Sequence, residues 1–130
     1  FINDSKATSF QATKLALQNS TNIFWIVGGL PKKDDKIDLR NFRKNIIKSY
    51  IIGNHINFFK NQLKDKLNYC VCKNIKKTII QILKDIKFLK TKKNTILLSP
   101  AAASFDQYPN FENRGEEFKR LSKFYARKFL

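Results

Sequence analysis

Short apolar runs alternate with amphipathic stretches from one end of this chain to the other, and no other feature constrains its fold as much. Phe1–Ile2 reads as the tail of a strand. NIFWIV (Asn22–Val27) is a buried strand stopped by Gly28-Gly29, and SYII (Ser49–Ile52) is another stopped by Gly53. Tyr69–Cys72 is a third, and TILL (Thr95–Leu98) ends at Ser99-Pro100. Each run is too short for a helix and rich in β-branched or aromatic residues. The segments between them carry helical spacing: Ala12, Leu15 and Ala16; Leu39, Phe42 and Ile46; Ile56, Phe59 and Leu63; Ile75, Ile79, Ile82, Leu83 and Ile86; Phe118, Leu121 and Tyr125. These stripes are expected to face the core, with lysines outside. Strand and helix in alternation predict an α/β fold, a three-layer α/β/α arrangement around a mostly parallel, Rossmann-like sheet. At 130 residues the chain is expected to be one domain.

The formal net charge is +16, from 26 Lys+Arg against 10 Asp+Glu. Such an excess can mark a nucleic-acid or anionic-membrane partner. Here the lysines are spread over every segment except Ser99–Gly115, whereas a nucleic-acid binder concentrates them on one face. They are read as a solvated surface, with neither nucleic acid nor membrane as partner; a stand-alone basic nucleic-acid-binding module is the alternative. No apolar run approaches the ~20 residues of a membrane span. The opening FINDSK has no initiating Met, and the expectation is a piece of a longer protein. Cys70 and Cys72, two apart on a strand, put both thiols on one face. They are expected to be free thiols of a cytoplasmic protein rather than metal ligands.

In a parallel α/β sheet, ligands bind outside the carboxyl ends of the strands. The residues just after each run are therefore the candidates, and all should share one rim. Asp4, Lys6 and Thr8 precede a helix whose first N–H groups and dipole favour an anion; the same residues also fit a capped helix with an exposed lysine. Gly28-Gly29 makes a tight turn open to close backbone approach, and Lys32 follows it. No GxxxxGK[ST] phosphate loop occurs in the chain. His55 is either an acid/base candidate or a plain helix-start residue. Ser99–Gly115 (SPAAASFDQYPNFENRG) contains no lysine and a single arginine. It offers Ser104, Asp106 and Gln107 for hydrogen bonding and Phe105, Tyr108 and Phe111 as a wall, with Asn110 or Asn113 to cap a last helix.

NDSKAT, WIVGG with a lysine three residues on, and LLSPAAASFDQYPNFENRG, in that order, resemble the C-terminal domain of the Mur ligases, and within them the branch that adds D-glutamate. The resemblance runs from Phe1 to about Phe118. It implies a three-domain enzyme with an N-terminal UDP-binding domain and a central domain for ATP and Mg2+, both absent from this chain. Residues 1–130 would be the C-terminal, D-glutamate-holding domain without its first strand segment. The activity implied is ATP-dependent addition of D-glutamate to UDP-N-acetylmuramoyl-L-alanine through an acyl phosphate, in peptidoglycan synthesis. Carried over by position, Asp4 would sit near the ribose of ATP and Lys6 would face phosphate as the catalytic residue. Thr8 and Lys32 would hold carboxylates of D-glutamate, and Ser104, Phe105 and Phe111 would complete that pocket. Lys33 stands next to Lys32 and could take its place. Ser9 stands where the family usually has Asn, Ala102 where many members have Cys, and Gly53-Asn54-His55 departs from the usual Gly-acidic pair.

Overall fold

A computed structural model describes residues 1–129. Five strands, β1 (Ile2–Asn3), β2 (Ile23–Gly28), β3 (Ile46–Ile52), β4 (Tyr69–Lys73) and β5 (Thr95–Leu98), form one sheet in the order β1-β5-β2-β3-β4. Every ladder in it is parallel. Four helices cover it: α1 (Phe10–Gln18), α2 (Ile56–Leu63), α3 (Ile75–Leu89) and α4 (Phe111–Phe129).

The alternating side chains of the strands divide the interior in two. Ile23, Trp25 and Val27 of β2 pack with Phe10 and Leu17 of α1 and with Phe59 and Leu63 of α2. Phe24 and Ile26 of the same strand pack with Ile75, Ile79 and Ile82 of α3 and with Phe118, Leu121 and Tyr125 of α4. This is the three-layer α/β/α arrangement, with β2 buried along its whole length. The two thiols share the α3 face of edge strand β4, with Sγ atoms 3.5 Å apart and unbonded.

Two expected elements differ. α1 turns Phe10, Thr13 and Leu17 inward and leaves Ala12 and Leu15 exposed, Leu15 at 66%, so of the Ala12–Leu15–Ala16 stripe only half-buried Ala16 meets the core. Thr13 decides the side: its hydroxyl lies 3.0 Å from the buried Ser99 hydroxyl and donates to it, since Ser99 gives its own proton to Asp4, a role that apolar periodicity reads as outward. Between β2 and β3 there is no α-helix. Leu39 and Phe42 are buried, as their spacing implied, but on an irregular crossover with one 3-10 turn at Arg43–Asn45, and Ile46 already belongs to β3. Side chains hold this crossover in place of helical bonds. Gln62 accepts the Ile37 N–H and donates to the Asp35 carbonyl, 3.1 Å each, and Asn45 donates to the Leu17 carbonyl at 3.0 Å.

Candidate functional site

Parallel ladders place all strand carboxyl ends on one rim. The strand order turns at β2, with β3 and β4 on one side and β5 and β1 on the other, so the crevice lies between the loops after β2 and β5. Across it Leu30 and Ala103 exchange two backbone hydrogen bonds, 2.9 Å each, a clasp outside the sheet proper. The loops meet backbone to backbone. A Cβ on Gly29 (φ +137°) would fall 2.5 Å from the Ala103 carbonyl oxygen. One on Gly53 (φ +89°) would fall 2.6 Å from Asp106 Oδ2 and 3.0 Å from the Gly29 backbone. Only glycine fits either place. Asp106 also accepts the Asn54 N–H at 2.9 Å, and its carbonyl accepts from the Asn54 amide at 3.1 Å. The Gly53-Asn54-His55 loop is thus tied to the rim through Asn54, while His55 is exposed at the start of α2 and makes no side-chain cap bond.

Asp4 is braced rather than free. Its N–H donates to the Leu98 carbonyl and its Oδ2 accepts the Ser99 hydroxyl, both at 2.7 Å. Lys6 is exposed and in no ion pair among the described residues. With Asp4 it lines a groove of about 350 Å³ beside Ala12, Leu15 and Ala16 of α1. Thr8 is half-buried just before Ser9, whose hydroxyl caps α1 by accepting the Ala12 N–H at 3.3 Å. The anion favoured at this helix start is supplied in part by the chain itself, since Asp35 Oδ2 accepts the Phe10 N–H at 3.0 Å. Lys32 and Lys33 are both exposed. Phe105 and Phe111 are exposed, and Asn110 caps α4 by accepting the Asn113 N–H at 2.8 Å. Burial, then a hydrogen bond with Glu117, raises the Tyr108 hydroxyl pKa and keeps it neutral.

Ser104 is 2% exposed, and its Oγ has no hydrogen-bond partner in the structure. Arg114, which the sequence reading did not single out, shares that state. It is 1% exposed; Nε donates to Ser5 Oγ at 2.9 Å and Nη2 to the Ser5 carbonyl at 2.7 Å, while Nη1 is unpartnered. Ser5 in turn donates to the Phe111 carbonyl at 2.7 Å. Nη1 lies 3.3 Å from the place a Gly29 Cβ would take, so Arg114 bridges the loop carrying Lys6 to the glycine turn and the Ala103 clasp. Burial depresses its pKa to about 10 against the opposing pull of Asp106, so it is a cation at neutral pH. No carboxylate among the described residues reaches ion-pair distance of it. The available signal was its place as the one arginine in the lysine-free stretch.

Among the described residues no three His, Cys, Asp or Glu side chains gather to bind a metal ion, and the sequence contains no GxxxxGK[ST] motif.

No family model matches the chain. Among curated proteins it is 41% identical over 122 residues to a UDP-N-acetylmuramoylalanine--D-glutamate ligase of Wolbachia sp. subsp. Brugia malayi (strain TRS), covering 93% of this chain and 24% of that protein. Ligases of the same name from Rhizobium meliloti (strain 1021) and Rickettsia prowazekii (strain Madrid E) are 39% and 35% identical, over 91% and 95% of the chain. The chain is a homologue of one segment of these Mur ligases. It spans about a quarter of the length of the relatives it matches, and the kinship expected from NDSKAT and SPAAASFDQ holds over nearly all of it.

Proposed function

We propose that this chain is the C-terminal domain of an ATP-dependent ligase that joins D-glutamate to UDP-N-acetylmuramoyl-L-alanine in cytoplasmic peptidoglycan synthesis, and that its rim holds the D-glutamate. The observation that carries the reading is the pair of buried, unpartnered donors, Ser104 Oγ and Arg114 Nη1, on the rim that also carries Thr8 and Lys32. A buried donor without a partner costs about 1–3 kcal/mol. A dicarboxylate ligand offers acceptors of the kind these groups lack.

In the reaction so implied, the L-alanyl carboxylate takes a phosphoryl group from ATP, and the amine of D-glutamate then displaces phosphate at the carbonyl carbon. Lys6, exposed and unpaired, sets a positive charge where the phosphoryl group would lie. Thr8 and Lys32 take one carboxylate of D-glutamate. Ser104, the backbone around Phe105, and Phe111 take the other end and limit water. Asp4, fixed by Ser99, faces the ribose. Exposed Ala12 and Leu15 beside Asp4 and Lys6 suit packing against the nucleotide-bearing part of a longer protein. That part would hold the ATP phosphates and Mg2+, and a further domain the UDP end of the substrate.

Titration of the isotope-labelled chain with D-glutamate, followed by amide spectra, tests the reading. Thr8, Ser104 and the Lys32–Lys33 turn should shift with an affinity on the order of millimolar, and L-glutamate should bind more weakly. A charge-assisted bond is worth roughly 1.5–3 kcal/mol, so Lys32→Ala should weaken binding about ten- to a hundredfold. If Lys33→Ala does so instead, the contact sits one residue on. Saturating D-glutamate that leaves Thr8 and Ser104 unmoved would remove the proposal. Incubated with all three substrates and Mg2+, the chain alone should release no phosphate above background.

A further inference from the structure

A second surface lies at the pole opposite the rim and stands independently of the function proposed above. α3 and α4 both run from the rim to this pole: α4 starts beside Ser5, and its Phe129 reaches the C-terminal half of α3. Ile80, Leu83, Ile86 and Phe129 line a groove of about 500 Å³, with Lys84 and Lys87 on its walls. Just past it Phe88 is 84% exposed and Leu89 is exposed as well. Phe129 stacks on Tyr125 with ring centroids 6.1 Å apart, and Tyr125 meets exposed Phe124 edge-on at 4.9 Å. One exposed phenylalanine needs no explanation; an apolar groove at a pole where the last turns of α3 and α4 also expose Phe88, Leu89, Phe124 and Phe129 does.

The chain segments that bear this patch carry charge of one sign. Ile86–Asn94 carries Lys87, Lys90, Lys92 and Lys93 and no acid. Phe118–Phe129 carries Lys119, Arg120, Lys123, Arg127 and Lys128 and no acid; the glutamates of α4 all lie in its rim-side half. Asp85, the nearest carboxylate on α3, is taken up by Lys48, Tyr50 and Gln81.

We propose that this pole docks on an anionic lipid surface. Phe88, Leu89 and Phe129 enter the boundary between headgroups and acyl chains, and the lysines around them lie among the acidic headgroups. A second copy of the chain would set the same positive charge against itself. A rigid acidic helix could fill the groove but would leave Phe88 projecting past it; a deformable apolar layer takes a projecting ring, while lysine stems reach back to the headgroups. Lysines dispersed in the sequence and read there as solvated surface are gathered here by the fold. The rim would then face away from the lipid.

Co-sedimentation with vesicles tests this. The chain should partition onto equal mixtures of phosphatidylcholine and phosphatidylglycerol, and not onto phosphatidylcholine alone. Phe88→Ser with Phe129→Ser should lower partition at least about tenfold, and Lys84→Gln with Lys87→Gln by about tenfold or more. Lys14→Gln with Lys36→Gln, the same charge removed from the other layer near the rim-side start of α1, should change it less than about twofold. Circular dichroism should show each variant folded. Phe88→Trp should blue-shift on anionic vesicles and be quenched by brominated acyl chains. The proposal falls if anionic vesicles do not bind the chain. It falls equally if both lysine pairs matter alike, which is generic adsorption of a basic chain, or if the phenylalanine changes chiefly dissolve a dimer.

Discussion

Asp85 on α3 and Arg114 on α4 are both charged side chains drawn largely out of water, and the fold completes one and leaves the other open. Asp85 accepts from Lys48 Nζ at 2.9 Å, from the Tyr50 hydroxyl at 2.6 Å and from Gln81 at 2.9 Å. Burial works against its ionisation, but those three donors outweigh it and hold its pKa below the usual carboxylate value. Arg114 is more deeply buried, meets only Ser5 and keeps Nη1 without a partner, as Ser104 keeps its hydroxyl. A closed cluster stabilises the fold and asks for nothing more. An open one, at the carboxyl end of a parallel sheet, is where a ligand has something to contribute.

The largest effect expected from breaking that contrast is Asp85→Ala. It leaves an ammonium, a buried phenol and an amide without their acceptor. Removing one member of a fully buried pair costs 3–5 kcal/mol. Here Asp85 and Lys48 keep 16% and 24% of their side-chain exposure, so about 2–3 kcal/mol is expected, read from urea unfolding, with the D-glutamate shifts unchanged. Arg114→Met should cost less, about 1 kcal/mol, because it removes two hydrogen bonds but also a buried charge that no carboxylate balances. Its mark should be on binding: the D-glutamate shift at Ser104 should be lost. If Arg114→Met unfolds the chain more readily than Asp85→Ala, the rim cluster is structural and the contrast fails.

A smaller effect is expected with pH. Because the folded pKa of Asp85 is lowered, its contribution is present above the unfolded carboxylate range, about 4, and is lost as pH falls through the folded value. Acid unfolding curves of Asp85→Asn should therefore lose stability less steeply over that interval than the parent chain. The least effect on stability belongs to Cys72 in the same closed face. Burial, and then its contact with Cys70, pushes this thiol up to about 12. Iodoacetamide at pH 8 should modify it far more slowly than a peptide thiol, and Cys72→Ser should show no change in D-glutamate shifts.

Much of the fold could be read from spacing. β2 and β5 lie within a residue of where their apolar runs and stop signals put them, because buried parallel strands are uninterrupted apolar runs. β3 begins at Ile46 rather than Ser49 because Lys48 breaks its run while pairing with Asp85. Ala12 and Leu15 face out, with only Ala16 of their stripe against the core, because Thr13 is polar by type and buried by its bond to Ser99. Leu39, Phe42 and Ile46 imitate a helix because an irregular crossover can also return every third or fourth side chain to the core. In the site, the rim was legible, since it follows from strand direction alone. Arg114 was not, because an arginine's state depends on which loops fold over it, and Ser5, Gly29 and Asp106 come from three different ones.

The clasp between Leu30 and Ala103 orders events in time as well as in space. One half follows β2 and the other follows β5, the last strand among the described residues, where β1 pairs with β5 alone. Until β5 slots between β1 and β2, Asp4 has no Leu98 carbonyl to meet and no Ser99 hydroxyl to accept, and the glycine turn has nothing to close against. Contacts spanning so much sequence form late. A nascent or partly unfolded chain ending before residue 95 would therefore carry most of the apolar core of α1, β2 and β3 and none of the assembled rim. Any ligand of that rim recognises completion, and by mass action it stabilises only the finished molecule.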